Sequence, residues 1–128
     1  MNFFGILLLL VAIFIIYSLL KKFYYARAVL NYLPEEVYEK LKNDKNVVLL
    51  DVRTPLEHKR QNIEGSLNIP LHELNNRINE LEKYKDKEII CYCRSGNRSL
   101  TAAIKLYNKG YKPANMKGGI INWNFSNK

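Results

Sequence analysis

Residues 3–20, FFGILLLLVAIFIIYSLL, run for 18 positions without a charged side chain. As a helix rising 1.5 Å per residue this run reaches about 27 Å, close to the ~30 Å hydrocarbon thickness of a bilayer. It is apolar on every face, and a chain of 128 residues has no interior large enough to wrap it, which excludes a core helix. A secretory signal peptide is the competing reading, because Ala26-Arg27-Ala28 resembles a small-x-small cleavage site. Against it stand an uncharged Met1-Asn2, a run longer than the usual ~7–15 residues, and Lys21-Lys22 between the run and that site. The expectation is a transmembrane helix over 1–22, a juxtamembrane linker over 23–32 and one folded domain over 33–128. Lys21, Lys22 and Arg27 flank the run on its C-terminal side only, so the positive-inside rule predicts a single-pass cell-membrane protein with its domain in the cytoplasm.

Charge and cysteine usage narrow what that domain can do. The chain carries a net charge of +8, but three of its 20 Lys and Arg border the apolar run. The other 17 face all 12 Asp and Glu, and much of their excess is scattered singly, as on solvated helix faces and loops. No nucleic-acid-binding motif is present; a diffuse basic surface instead draws small anions toward any cleft. Cys91 and Cys93 are separated by one residue, a spacing that strains a disulfide within a strand. His58 and His72 stand at no recognised ligand spacing from them, so no metal site is expected.

The remaining pattern alternates. Pro34 suits the first turn of a helix extending to Lys42, with Glu35 and Glu36 at its positive end and Lys40 and Lys42 at its negative end. Residues 46–52, NVVLLDV, form a short continuous apolar run rich in β-branched side chains, which predicts a strand covered on both faces. Thr54, Pro55 and Glu57 make a capping box for a short helix toward Arg60. A brief strand is expected within 65–70 and a helix over 71–84, where Leu71, Leu74, Ile78 and Leu81 recur near a period of 3.6. Residues 88–92 predict a second buried strand. A helix capped by Ser99 follows to Lys109 and Gly110, then a last strand over 111–116 and a turn containing Trp123. The class is α/β, a doubly wound and largely parallel sheet with helices on both faces. Ligands in such sheets bind at the carboxyl ends of the strands, where Asp51-Val52-Arg53 and Cys93 converge.

Cys93-Arg94-Ser95-Gly96-Asn97-Arg98 is the chemically loaded stretch. A Cys directly after a buried strand, followed by a glycine-containing loop and a helix, has its sulfur beside a positive helix terminus and inward-pointing amides. With Arg94 and Arg98 added, such a nest favours thiolate and makes Cys93 a nucleophile. Cys91, inside the strand, reads as a small buried hydrophobe.

These residues resemble the rhodanese-like sulfurtransferase domains. The likeness covers roughly residues 33–123 and rests on Asp51-Val52-Arg53, Glu57 with 63–70 (IEGSLNIP), 93–99 (CRSGNRS) and 118–123 (GGIINW), in that order. It implies a rhodanese-like fold in which Cys93 takes sulfane sulfur from a donor such as thiosulfate, becomes a persulfide, and passes the sulfur to a thiol or cyanide acceptor, with no cofactor or metal required. By the same resemblance, Arg94, Ser95, Gly96, Asn97, Arg98 and Ser99 bind the substrate anion. Asp51 and Arg53 support the site, Glu57 and Trp123 are structural, and the partners are a small sulfur-containing anion and a thiol acceptor, with any protein partner unidentified. One departure stands out. Family members commonly carry Gly-His-Ile where this chain has Gln61-Asn62-Ile63, and His58 does not occupy that position. Phosphatases of related fold keep five residues between Cys and Arg; only four lie between Cys93 and Arg98, which argues for sulfur. A noncatalytic membrane-tethered scaffold is the other alternative, disfavoured because the Cys is retained.

Overall fold

The computed structural model describes residues 2–125; Met1 and residues 126–128, the outer ends of the expected segments 1–22 and 33–128, lie outside the described residues. A helix, α1 (Phe3–Ala28), opens the chain, capped by the Asn2 side chain, which accepts the Gly5 N–H at 2.8 Å. Its 26 residues reach about 39 Å and none is buried. It is long and apolar enough to cross a membrane, a test that signal sequences also pass.

Beyond it, β1 (Leu30–Tyr32), α2 (Pro34–Asn43), β2 (Val47–Asp51), α3 (Pro55–Arg60), β3 (Leu67–Asn68), β4 (Glu88–Tyr92), α5 (Asn97–Asn108) and β5 (Lys112–Met116) alternate. The strands form one parallel sheet in the order β1-β5-β4-β2-β3. This is the expected rhodanese-like α/β architecture. Three details differ from expectation. The stretch expected as linker, 23–32, is helical as far as Ala28, and Leu30–Tyr32 then pair with Ala114–Met116 as an edge strand. The helix expected over 71–84 is broken into a 3-10 turn (Leu71–Glu73), one α-turn, α4 (Leu74–Arg77), and a 3-10 stretch (Ile78–Tyr84). Leu71, Leu74, Ile78 and Leu81 still reach the core in this tighter form, because spacings of three and four suit either helix type. Finally, α5 starts at Asn97, with Gly96 rather than Ser99 as its N-cap.

Side-chain alternation along β4 explains where the chemistry lands. Ile89, Cys91 and Cys93 point to one face of the sheet, into a core layer with Leu50, Ala102, Ala103 and Leu106 under α5. Ile90 and Tyr92 point to the other, with Val37 of α2, Ile63, Ala114 and Met116. Cys93 therefore emerges from the sheet on the α5 face, at the end of the strand where α5 begins.

Candidate active site

The loop from Cys93 to Gly96 turns back under its own sulfur. Gly96 adopts φ +106°, a left-handed conformation, and its N–H donates to Cys93 Sγ at 3.1 Å. Ser99, in the first turn of α5, points its N–H at the same sulfur at 3.4 Å and holds its hydroxyl oxygen 3.4 Å away. Burial pushes the Cys93 thiol up, but the Ser99 hydroxyl, in the rotamer that donates to the sulfur, and the N–H groups of Ser99, Gly96 and Ser95 outweigh it and hold the thiol below its ordinary value. Cys91, two residues earlier and fully buried, is pushed far up by burial, with Cys93 adding to the effect. The two thiols differ because one faces a ring of donors and the other faces side chains of the core.

The glycines of 118–119 keep the loop in this shape. Ile120 N–H donates to Cys93 O at 2.9 Å and Ile121 N–H to Arg94 O at 3.2 Å, which sews the segment after β5 onto the loop. Gly119 sits at φ +71°, and a Cβ there would overlap the Arg94 carbonyl.

The six other loop residues named from the sequence are distributed unevenly about the sulfur. Gly96 and Ser99 are buried and bond it; Arg94, Ser95 and Asn97 have exposed side chains. Arg98 is turned toward α3, where its guanidinium meets both carboxylate oxygens of Glu57 at 2.8 and 3.0 Å. Arg98 still interacts electrostatically with Cys93, but the Glu57 carboxylate offsets much of its charge. Glu57 is thus both the capping residue of α3 and the anchor of Arg98.

Asp51 and Arg53 form a buried pair at the end of β2. Arg53 Nε donates to Asp51 Oδ1 at 2.9 Å and Nη2 to Oδ2 at 2.7 Å, with Asp51 0% and Arg53 4% exposed. Arg53 Nη2 also donates to Gln61 O, and His58 Nδ1 lies 2.8 Å from Asp51 Oδ2. The cluster ties α3 and the chain after it to the sheet, and the Asn68 amide adds bonds to Asp51 O and Arg53 O at 3.0 Å each. Among the described residues no three His, Cys, Asp or Glu side chains gather as a metal site.

Two residues that the sequence reading passed over continue from Ser99 in a chain of hydrogen bonds. Ser99 Oγ donates to Asn115 Oδ1 at 2.6 Å, and Asn115 Nδ2 donates to Asn31 Oδ1 at 3.0 Å. Asn115 was detectable as the one amide inside an otherwise buried strand, Lys112–Met116; Asn31 had no such signal because the strand carrying it is three residues long. Clefts of about 460 Å³ flank the loop, one between Arg98, Thr54 and Leu71, the other between Gly96, Asn31 and Lys117.

Comparison with known proteins agrees with this fold. The model of the rhodanese-like domain matches residues 33–126. A sulfurtransferase of Allochromatium vinosum is 38% identical over 90 residues, which are 70% of this chain and 82% of that protein. A rhodanese-related protein of Thermoplasma volcanium superposes with a TM-score of 0.67 at 34% identity, covering 73% of this chain and 89% of its own. The thiosulfate sulfurtransferase of Pseudomonas aeruginosa gives a TM-score of 0.67 at 29% identity, over 76% of this chain and 19% of its own.

Proposed function

The chain belongs to the rhodanese-like family, and on that premise we propose that it transfers sulfane sulfur through a persulfide on Cys93. The observation that carries this reading is the cradle at the end of β4: Cys93 Sγ accepts N–H groups from Gly96 and Ser99, which favour its thiolate. The thiolate attacks the outer sulfur of thiosulfate; a new S–S bond forms, the donor's S–S bond breaks, and sulfite departs with the electron pair. The same amides then face the anionic persulfide sulfur. An acceptor thiolate attacks that terminal sulfur, forms its own persulfide, and returns Cys93 as thiolate. No general base is needed once the thiol is ionised, so the absence of the family's usual His costs the cycle nothing.

Thiosulfate as donor is supported by the name of the Pseudomonas aeruginosa relative and by the amides and basic side chains around the loop. The apolar helix α1, followed by Lys21, Lys22 and Arg27, supports a membrane tether with the domain on the cytoplasmic side, where thiols stay reduced. Intact mass after exposure to thiosulfate tests the chemistry. The wild-type chain should gain one sulfur that cyanide removes, and Cys93→Ser should gain none. An equal gain in both would remove Cys93 as the carrier. A phosphoenzyme formed from an aryl phosphate, with no sulfur gained, would turn the assignment to a phosphatase.

A further inference from the structure

The hydroxyl of Ser99 has one proton and two partners. Its oxygen lies 2.6 Å from Asn115 Oδ1 and 3.4 Å from Cys93 Sγ, so the proton rests with Asn115. The amide orientations behind this follow from the far end. Asn31 Nδ2 donates to the backbone carbonyl of Val29 at 3.3 Å, which turns Asn31 Oδ1 toward β5. Asn115 Nδ2 fills that acceptor, so Asn115 can offer Ser99 only its carbonyl oxygen. The register of the sheet makes the chain possible: Asn31 pairs directly with Asn115, and Asn115 with Cys91, so three neighbouring strands line up beneath Ser99.

A hydroxyl that donates to Asn115 presents a lone pair to the sulfur. That lone pair accepts from a Cys93 thiol and repels a thiolate. A thiolate or persulfide anion is served by the same hydroxyl only after its proton turns away from Asn115, which leaves the side-chain carbonyl oxygen of this buried residue unpaired. We propose that Asn115, oriented by Asn31, is a positioning residue that withholds the Ser99 proton from Cys93 and so opposes thiolate formation until that hydroxyl turns. The loop amides and the relay thus pull in opposite directions, and the relay sets how much of the sulfur stands ionised at rest. Its outer link is carried by β1, so the reactivity of Cys93 depends on the pairing of β1 with β5.

The charged and titratable groups around the sulfur are few. Arg98 of α5 interacts with it while paired to Glu57 of α3, and Cys91 of β4 lies on the same face of the sheet. Asp51, Arg53 and His58 form their own cluster at the end of β2, and Lys117 lies beyond Asn115 in the cleft behind the loop. None of these groups belongs to the relay, whose members are all neutral, so its effect can be measured without changing a charge.

The inference rests on Cys93 as the reactive thiol, and its test reads ionisation rather than sulfur transfer, so failure of one does not imply failure of the other. The rate of Cys93 alkylation by iodoacetamide is followed against pH in the full chain, held in detergent for its apolar helix. Asn115→Leu releases the Ser99 proton to the sulfur and should move the midpoint down by about half to one pH unit. Asn31→Leu, at an exposed edge position, lets the Asn115 amide reverse and should shift the midpoint the same way. In a Ser99→Ala background neither substitution should shift it. An unchanged or raised midpoint in Asn31→Leu, or a shift that persists without the Ser99 hydroxyl, overturns the proposal; should Asn115→Leu not fold, the Asn31 and Ser99 variants decide alone.

Discussion

Glu57 joins two elements through one carboxylate. It caps α3 by accepting the Thr54 N–H at 3.2 Å, and it holds Arg98 of α5 across the mouth of the loop. The Arg98 guanidinium, with help from the Thr54 backbone, holds the Glu57 carboxyl at about 2, well below its ordinary value. Because the folded value is depressed, the associated stability is complete above about pH 4.5 and is lost as pH falls toward about 2. Both side chains are about one-third exposed, so solvent screening reduces the contribution to about 1 kcal/mol. Glu57→Gln keeps the cap and removes the charge. Urea unfolding should show the variant weaker by that amount near neutral pH, with the gap closing on acidification. A gap that stays constant from neutral pH to about 2 would show that charge plays no part.

At the scale of elements, β1 is the strand whose role the sequence concealed. Residues 30–32 lie between an apolar run and a proline-led helix, and three residues carry too little periodicity to read. Their place comes from pairing with β5, and Val29, just before them, is buried at 3% exposure in the core under α5. Val29 and β1 therefore pack as part of the sheet domain. A chain shortened to begin at Val29 should melt cooperatively and alkylate at Cys93 as the full chain does. One shortened to begin at Leu33 should lose about 2 kcal/mol or more, seen as a melting temperature lower by on the order of 10 °C. Equal melting of the two shortened chains would make β1 an ornament of the sheet. The stretch 71–84 teaches the converse lesson. Its apolar spacing was legible and its inward residues correct, but spacing near three and a half does not distinguish one α-helix from a series of tighter turns.

The whole molecule is a small parallel-sheet domain on the end of a 26-residue apolar helix. Helix and domain touch where Tyr25 meets Tyr107 of α5 edge-on, with ring centroids 6.2 Å apart. On the reading of α1 as a tether with Lys21, Lys22 and Arg27 inside, a membrane-impermeant maleimide should leave Cys93 unlabelled in intact cells and label it after lysis. Rapid labelling from outside would reverse the orientation.

What the sequence alone determined is what depends on neighbours along the chain. The apolar run, the capping box at Thr54, the two buried strands and the short loop after Cys93 are local patterns, and each stands in the structure where its residues put it. Tertiary structure decided everything that depends on sheet register. Only the parallel pairing of β1, β5 and β4 brings Asn31 and Asn115 beneath Ser99, 84 residues apart though the two amides are. Only folding brings Glu57 of α3 within reach of α5 and turns Arg98 from the sulfur's obvious counter-charge into the partner of Glu57. A hydrogen bond between distant strands leaves no periodic trace in a sequence, because its energy depends on two positions that the chain brings together only on folding.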